Sequence, residues 1–454
     1  MSSSRGAGRS GRSQRKLAGI TTFTASAIAV ADMVGIGVFT SLGFQVQNIT
    51  SAFSVLVLWI VGGVVALCGA LAYGELGAAL PRSGGEYNFL SRIYHPAVGF
   101  MAGWLSATVG FAAPIALAAI AFGAYFKGVV PGAPSPLVLG LGIAWLVAAV
   151  HLAGLRHGHI FQNVSTILKV VLIIAFIIAG FAYGTPQDIS FAPSMIDLQQ
   201  ISGAPFAIGL VFVMYSYSGW NASTYIIDEI EDPQRTVPRS LFIATFIVLV
   251  LYLALNALFL YTTPMEKMAG QVEVALVAGT HIFGASGGKI VGGLICAGLI
   301  ATISAMTWIG PRVTQVMGED LPALSIFARK TRGGVPAAAI LLQLFMVTAL
   351  ILTQSFENVL NYIQFSITLS SFLAVLGVML LRRSQPDLVR PYRTWGYPVT
   401  PIIFLGVTAF IMIYLLSERP VQSLAGLATL AVGLVVYWVW MKRSPSKVSQ
   451  GMTR

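Results

Sequence analysis

The chain of 454 residues is 56% hydrophobic and only 9% charged, and its formal net charge is +11. Soluble domains carry about 25% charged residues, so this composition excludes a water-soluble globular protein. It predicts an all-α membrane protein with many spans, in which the excess of Lys and Arg marks the cytoplasmic loops.

The first 16 residues, "MSSSRGAGRSGRSQRK", consist of Ser, Gly and basic residues with few others. This composition predicts a disordered cytosolic tail. The apolar run that follows is too long for the core of a signal peptide and lacks a cleavage site, so we interpret it as an uncleaved first span.

Runs of about 20 mainly apolar residues predict twelve transmembrane helices. They lie near residues 18–45, 52–80, 97–126, 136–154, 160–183, 204–229, 240–262, 287–317, 336–354, 357–381, 399–417 and 421–441. With the N-terminus inside, 22 Lys and Arg residues fall in cytosolic segments, four in outer segments and Lys169 within a span. This asymmetry predicts that both termini are cytoplasmic.

The first and sixth predicted spans are interrupted by glycines. The first contains "GIG" at residues 35–37, and the sixth contains "YSYSGWN" at residues 215–221. Because five spans separate the two, they cross the membrane in opposite directions. Broken helices at corresponding positions of oppositely oriented halves indicate a transporter built from inverted repeats. The alternative is two unrelated sites of close helix packing.

A helix break frees backbone groups to bind a ligand. The half-helix that begins near Val38 directs free N–H groups toward the break, which suits a carboxylate. The half-helix that ends near Tyr215 leaves free carbonyls, which suit an ammonium group. An α-amino acid carries both charged groups, so the pattern predicts an amino-acid substrate.

Several segments resemble those of a known family. They are "VGIGVFTSLG", "PRSGGEYNFL", "YSYSGWNASTYIIDEIEDPQRTVPRSL" and "RPYRTWGYP". They are similar to the amino acid–polyamine–organocation (APC) superfamily of permeases, and most of all to the L-type amino-acid transporters and their bacterial relatives, over about residues 17–440.

The resemblance implies a leucine-transporter-like fold: a 5+5 inverted repeat with broken helices 1 and 6, plus two C-terminal helices. The predicted organisation is a tail (1–16), a transporter core (17–395) with repeats at about 17–184 and 203–382, two additional helices (396–441) and a second cytosolic tail (442–454).

The resemblance also assigns the substrate contacts. The N–H groups of Gly35, Ile36 and Gly37 would hold the carboxylate, although the family usually has Ser, with its hydroxyl, in place of Ile36. The carbonyls of Tyr215, Ser216 and Ser218 would hold the amine. Tyr215 falls where the family places an aromatic gate, and Trp220 lies beside the proposed site.

Lys169 is a charge within the fifth span, which is costly and indicates a function. The resemblance places it where sodium-coupled relatives bind sodium and sodium-independent relatives keep a lysine. Its ammonium would hold the first span to the fifth and eighth, with Ser304 as a partner. The alternative is a lysine that snorkels to the cytosolic interface.

Asp32 lies about one turn before the first break and leaves three interpretations open. It could pair with Lys169, it could carry a coupling proton, or it could face a water-filled cytosolic vestibule.

The remaining charged motifs lie at predicted span ends. The loop "DEIEDPQRTVPRSL" is either part of a cytoplasmic gate, as the resemblance implies, or a solvated loop with weak ion pairs. We expect Glu75 to meet Arg82 or backbone near the inner surface. His151, His157 and His159 have no acidic or cysteine partner nearby, so we expect no metal site. We find no nucleophile–base pair at membrane depth and therefore predict neither an enzyme nor a cofactor.

The sequence thus predicts a sodium-independent transporter of amino acids, an exchanger or a proton-coupled carrier, in the cell membrane. We expect neutral substrates because the spans contain few acids. Pocket candidates are Tyr362, Gln364, Ser366 and Thr302. The alternatives are a cationic amino acid or polyamine antiporter and a membrane-embedded substrate sensor.

The expected partners are a small amino-acid substrate and membrane lipid, not nucleic acid. In eukaryotic relatives of the L-type group, a cysteine after the third span bonds an accessory glycoprotein. The loop "KGVVPGAPSP" contains no cysteine. We therefore expect no disulfide-linked subunit there.

Overall fold

The computed structural model describes residues 20–331, 333–353 and 355–443, and for residues 155–163, 165 and 441–443 it describes only the backbone. These residues form α-helices joined by turns, with short 3-10 segments and one π-helical segment. Within them there is no β-strand, only an isolated bridge between Ile20 and Ile230. The predicted all-α architecture is confirmed.

The first half of the described chain contains nine α-helices. They are α1 (Thr22–Met33), α2 (Gly37–Gln45), α3 (Ala52–Ala79), α4 (Glu86–Ile93), α5 (Pro96–Leu105), α6 (Ala112–Val129), α7 (Pro136–Ala153), α8 (Leu155–Tyr183) and α9 (Met195–Ile201). The π-helical segment Ser106–Gly110 joins α5 to α6, so these two helices form one long apolar rod.

The second half also contains nine α-helices among its described residues. They are α10 (Ala204–Ser216), α11 (Pro233–Thr262), α12 (Met265–Met268), α13 (Val274–Asp320), α14 (Ser325–Ala328), α15 (Ala337–Ile351), α16 (Phe356–Ser384), α17 (Val399–Glu418) and α18 (Pro420–Arg443). Two 3-10 segments, Ala222–Tyr225 and Ile227–Glu229, follow α10.

In the described part of the chain, ten helices or joined helix pairs are long and apolar enough to cross a membrane. The number is eleven if α9 and α10, which are bent by 65° from each other, form one span. Helix α15 is apolar but has only 15 residues. The chain is therefore a multi-pass membrane protein, and the count of twelve spans stays a prediction.

The first span is broken where the sequence predicts it. Helix α1 begins at the cap Thr21, whose hydroxyl accepts a hydrogen bond from the Thr24 N–H, and ends at Met33. Residues 34–36 are not helical, and α2 begins at Gly37. The glycine pair in "GIG" thus marks a real interruption in an otherwise continuous apolar run.

The sixth predicted span is also interrupted. Helix α10 ends at Ser216, and residues 217–221 form turns before the two 3-10 segments. Gly219 has φ 97°, a left-handed conformation that glycine adopts without a steric penalty. The α-helix therefore stops at this point and does not resume.

Helix α13 begins before its predicted bounds. The sequence places the eighth span at residues 287–317, whereas helix also covers residues 274–283, which a kink at Gly284, where φ is 73°, separates from the part that reaches Asp320. Gly284 is not helical, so α13 consists of two helices in series, and apolar periodicity indicated only the second.

The helices at the centre pack in pairs. Helix α11 packs along α3, and α13 packs along α6, while α1 packs against α8, α11 and α13. Helices α17 and α18 pack outside this group, on α3, α5 and α16. The paired helices occupy corresponding positions in the two predicted halves, although the inverted repeat stays a prediction.

Candidate functional site

The two broken spans contact each other through their glycines. A Cβ atom on Gly37 would lie 2.7 Å from both Cα and Oγ of Ser216, and a Cβ atom on Gly219 would lie 2.7 Å from Oδ2 of Asp32. Cβ atoms do not approach other heavy atoms this closely. The glycines therefore allow the breaks of α1–α2 and α10 to meet at one place.

The first break presents unused backbone donors. The N–H groups of Ile36, Gly37 and Val38 donate to no atom of the described residues, whereas the N–H of Gly35 bonds the Met33 carbonyl at 2.7 Å. Free N–H groups at the start of a helix attract anions. Of the three predicted carboxylate contacts, Gly35 is therefore already engaged, and Val38 offers a further donor.

The carbonyls at the second break are mostly engaged. The carbonyl of Tyr215 accepts hydrogen bonds from the N–H and the hydroxyl of Ser218, at 2.9 and 2.7 Å. The carbonyl of Ser216 accepts from the Tyr252 hydroxyl at 3.0 Å. Among the described residues, none donates to the Ser218 carbonyl, so it is the predicted amine contact that stands free in this conformation.

Tyr252, a residue that the sequence did not single out, joins the two broken ends. Its hydroxyl on α11 lies 2.6 Å from the carbonyl of Met33 and 3.0 Å from that of Ser216. Both acceptors are at helix C-termini, where carbonyls lack a partner within the helix. The one sequence signal for this role is a tyrosine within a long apolar run.

Lys169 lies beneath the first break. Its ammonium donates to the carbonyls of Val34 at 2.6 Å and Ala31 at 3.3 Å, and to the hydroxyl of Thr302 at 2.7 Å. The Thr302 hydroxyl in turn lies 3.1 Å from the Val34 carbonyl. The side chain is 4% exposed. It thus links the end of α1 to α8 and α13 and does not snorkel to an interface.

The predicted partner of Lys169 on α13 is wrong. The hydroxyl of Ser304 lies 2.8 Å from Nε2 of His151 and forms a link between α13 and α7. Thr302 and Ser304 are two positions apart, so they occupy different faces of the helix. The sequence identified the right helix but the wrong face.

Asp32 forms no ion pair with Lys169 within 4 Å. Its side chain is 3% exposed, and Oδ1 has no hydrogen-bond partner among the described residues. A direct salt bridge between the two side chains, one form of the pairing expected for Asp32, is therefore absent from this structure.

A cavity of about 70 Å³ lies beside the second break. Its polar lining is contributed by Asp32, Glu86, Ser106, Ser218, Asn221, Tyr225 and Ser370, and its apolar lining includes Leu105, Phe111, Met306 and Ile367. Glu86 was not a predicted site residue. The structure buries its carboxylate against α3 and the turn after α10.

Three predicted site or pocket residues do not line the cavity beside the second break. The Trp220 ring packs on Tyr73, with centroids 4.7 Å apart, and on Phe404, so it belongs to the aromatic core. Tyr362 bonds the Thr429 hydroxyl on α18 at 2.7 Å, and Ser366 also lies against α18. Helix rotation, which the apolar sequence leaves open, decides these contacts.

Gln364 bonds Thr368 within the same helix at 3.3 Å, and Tyr215 is buried. Neither lines the cavity beside the second break.

The loop after α10 is tied to neighbouring segments. Ile20 exchanges backbone hydrogen bonds of 2.8 and 3.0 Å with Glu229 and Glu231. The Glu229 carboxylate accepts from Arg312 at 3.2 Å. The loop is therefore partly packed and not a freely solvated segment, which is compatible with the gate interpretation.

Of the two partners expected for Glu75, Arg82 is wrong and backbone is confirmed. Glu75 accepts hydrogen bonds from Nε and Nη2 of Arg382, at 2.8 and 2.6 Å, and from the N–H and hydroxyl of Thr394. Arg82 instead pairs with Asp320 at 2.5 Å. Glu75 and Arg82 are seven positions apart, and the chain leaves the helix between them, so nearness in sequence was misleading.

Of the three clustered histidines, only His151 has a described side chain. His157 and His159 lie outside the residues whose side chains are described. In the described residues, no group of three or more His, Cys, Asp or Glu side chains could hold a metal ion.

The architecture defines a membrane carrier, since two interrupted helices meet inside a bundle of apolar spans. The sequence profile of the amino acid permease family matches residues 20–440. The chain therefore belongs to the amino acid permease family, within the APC superfamily. It is a transporter of amino acids and not an enzyme.

Named relatives agree with this assignment. The chain is 25% identical to the b(0,+)-type amino acid transporter 1 of Mus musculus, over 91% of this chain and 86% of that protein. It is 25% identical to the large neutral amino acids transporter small subunit 2 of Homo sapiens, over 96% and 82%. It is 24% identical to the Asc-type amino acid transporter 1 of Mus musculus, over 95% and 83%.

Proposed function

We propose that the protein is a sodium-independent secondary transporter that moves amino acids across the cell membrane by alternating access. The observation that carries this proposal is the meeting of two helix breaks, one with free N–H groups and one with carbonyls. Together they offer opposite partial charges to the two ends of a zwitterion.

The carboxylate of the substrate binds the free N–H groups of Ile36, Gly37 and Val38 at the start of α2. The amine binds the Ser218 carbonyl and, once the local hydrogen bonds open, those of Tyr215 and Ser216. Relatives named for large neutral amino acids support an α-amino acid as the substrate.

Sodium independence follows from Lys169. Its ammonium occupies the position between α1, α8 and α13 and donates three hydrogen bonds, two of them to carbonyls at the end of α1. A bound sodium ion would have to displace it. Transport should therefore be unchanged when sodium is replaced by choline.

The cytoplasmic side is closed by the pairing of Ile20 with the loop after α10 and by the ion pair between Glu229 and Arg312. Opening toward the cytoplasm requires these contacts to separate. The predicted cytoplasmic position of both termini is consistent with this side being the inner one.

Counterflow in proteoliposomes tests the proposal. Vesicles loaded with unlabelled amino acids should accumulate a labelled neutral L-amino acid faster than empty vesicles, and equally in sodium and in choline buffer. Saturable binding of the amino acid without any flux would instead identify a substrate sensor. A requirement for sodium would contradict the role proposed for Lys169.

A further inference from the structure

A second cavity, of about 260 Å³, lies between α10, α16 and α17 and shares no lining residue with the cavity beside the second break. Its polar lining consists of Glu357, Asn361, Tyr414, Glu418 and Arg419. Helix α16 begins at Phe356 and α17 ends at Glu418, so the neutral residues of this set lie about one turn further inside their helices than the charged ones. The cavity therefore has a charged rim and a neutral polar layer beneath it.

The amide of Asn361 indicates that this cavity is a ligand site. Asn361 lines the cavity, is 4% exposed, and has no hydrogen-bond partner among the described residues. A buried polar group without a partner is unfavourable, and native structures contain few of them. A polar molecule in the cavity would supply the missing hydrogen bonds.

The charged rim favours a ligand that contains an ammonium group. Glu357 pairs with Arg419 at 2.8 Å, whereas Glu418 forms no ion pair with the described residues. Glu418 is also the last residue of α17, where the helix end carries partial negative charge. The rim thus has one carboxylate in excess, and the Arg419 guanidinium can bind an anionic group beside the ammonium.

The apolar part of the lining suits a hydrocarbon chain. Val211, Phe212 and Leu415 line the same cavity and are buried. Ile413 and Leu416, the sequence neighbours of lining residues on α17, are exposed, as expected of a surface in contact with lipid. The predicted topology puts this end of α17 at the outer surface. An amphiphile of the outer leaflet therefore matches the cavity.

The cavity also contacts a half-helix of the proposed substrate site. Phe212 of α10 stacks on Phe44 of α2, with ring centroids 5.0 Å apart, and Phe44 lies 6.3 Å from the ring of Phe356 on α16. Helix α10 ends at Ser216, one of the predicted amine contacts. A molecule held between α10 and α17 would therefore restrict the movement of α10.

We propose that this cavity is a regulatory site for a phospholipid with a primary ammonium group, such as phosphatidylethanolamine. The ammonium binds Glu418 at the rim, and oxygens of the phosphate and glycerol region accept hydrogen bonds from Arg419, Asn361 and Tyr414. The lipid joins α10 to α16 and α17 and stabilises the conformation in which the cytoplasmic side is closed. It therefore slows exchange, because the transport cycle also requires a second conformation. The regulatory role rests on the proposed function, whereas binding of the lipid does not.

Thermal unfolding in detergent tests the binding without transport. Mixed micelles contain phosphatidylethanolamine or phosphatidylcholine at equal mole fractions, because the N-methyl groups of phosphatidylcholine remove the hydrogen bonds of the ammonium. Phosphatidylethanolamine should raise the unfolding midpoint of the wild type saturably, by at least about 2 °C more than phosphatidylcholine does. Free phosphoethanolamine has the same polar groups without the acyl chains and should produce no such increase.

Two variants remove the proposed contacts. Glu418→Gln removes the partner of the ammonium, and Asn361→Leu removes the amide, so each should abolish the difference between the two lipids. Asn361→Leu should also unfold no earlier than the wild type without lipid, because it removes an unpartnered buried polar group. The matched control is Glu266→Gln, since Glu266 is exposed and does not line the cavity. It should keep the wild-type difference.

Counterflow in proteoliposomes measures the regulation. Exchange by the wild type and by Glu266→Gln should be at least about threefold slower in vesicles that contain phosphatidylethanolamine than in vesicles of phosphatidylcholine alone, which corresponds to less than 1 kcal/mol of binding preference. In Glu418→Gln and Asn361→Leu the two rates should be equal.

Each contrary result points to a different failure. Equal midpoints of the wild type in the two lipids would overturn the site, and an equal increase by free phosphoethanolamine would assign it to a soluble ligand instead of a lipid. A lipid difference that persists in both cavity variants would attribute the effect to the bulk bilayer. Faster exchange in phosphatidylethanolamine would overturn the regulatory role. Absence of exchange in every vesicle would overturn the proposed function, while the unfolding midpoints still decide the lipid site.

Discussion

Gly35 and Gly37 look equivalent in the sequence, yet their surroundings differ. A Cβ atom on Gly35 would lie 3.4 Å from a methyl group of Thr302 and 3.8 Å from the Met33 carbonyl oxygen, both ordinary contacts, whereas a Cβ atom on Gly37 would meet the backbone of Ser216 at 2.7 Å. Backbone cannot move aside as a side chain can. Gly37 is therefore required for the contact between the breaks, and Gly35 is not.

We predict that Gly37→Ala reduces uptake at least about tenfold and destabilises the protein by about 1–3 kcal/mol, because the added methyl group overpacks the contact. Gly35→Ala serves as the control and should retain most of the uptake. Initial rates of exchange and thermal unfolding in detergent measure both effects. Equal activity of the two variants would contradict the proposed contact.

Lys169 provides a second test at a single position. Lys169→Met keeps the length and apolar stem of the side chain but removes three donated hydrogen bonds, leaving the Val34 carbonyl with only the Thr302 hydroxyl. Each buried acceptor left unsatisfied costs about 1–3 kcal/mol. We expect uptake to fall at least about tenfold and the midpoint of thermal unfolding to decrease.

The control is Lys289→Met, since Lys289 is exposed in the kinked part of α13. It should behave as the wild type does in both assays. Full uptake by Lys169→Met would show that the ammonium is dispensable, as a snorkelling lysine would be.

Two glutamates of very different burial form ion pairs with arginines. Glu75 of α3 is 2% exposed and holds Arg382 of α16 at 2.6 Å and Arg390 at 3.4 Å, whereas Glu357 and Arg419 form a pair at 2.8 Å with both side chains more than 40% exposed. Removing one partner of a buried pair leaves an uncompensated charge, and water screens an exposed pair.

We therefore predict that Glu75→Gln destabilises the protein by about 3 kcal/mol, since it leaves two guanidinium groups facing a neutral amide. Glu357→Gln should change stability by about 0–1 kcal/mol. The two variants make the same chemical change, so the difference between their thermal unfolding midpoints isolates the effect of burial. Similar midpoints would contradict the structural role of the Glu75 cluster.

The distribution of basic residues predicts the orientation of the entire bundle. Asp188 lies between α8 and α9, and Gln385 lies between α16 and α17; both are exposed. The predicted topology puts Asp188 outside and Gln385 inside the cell. The two native cysteines, Cys68 and Cys296, are buried.

In a background with Cys68→Ser and Cys296→Ser, we expect Asp188→Cys to react with a membrane-impermeant maleimide on intact cells. Gln385→Cys should react only after the cells are permeabilised. Uptake by each variant confirms that it is folded. The reverse pattern of labelling would invert the topology, and labelling of both sites from outside would contradict the predicted number of spans between them.

Much of the fold was predictable because it depends on local features. Long apolar runs must form helices in lipid, since every backbone group there needs a partner. Glycine pairs mark where helices can break, so the interruptions at residues 34–36 and 217–221 matched the sequence. The kink at Gly284 was not predicted, because the sequence does not show which glycine in an apolar run adopts a positive φ angle.

The candidate site was predicted by position but not by contact. Gly37, Ser218 and Lys169 lie where the sequence indicated, whereas Thr302 replaced Ser304 as the partner of Lys169. Tyr252 was not anticipated. Its contribution requires α11 to pass both breaks at one level, and this register is a property of the packed bundle.

Composition, apolar run lengths and glycine positions were enough to predict a helical carrier with two interrupted spans, because each of these properties acts within one helix. Which side chains meet across helices was decided by packing alone. These spans are apolar on nearly every face, so no amphipathic stripe indicates how each one is rotated. The burial of Asp32 and Glu86 around a single cavity is the clearest consequence.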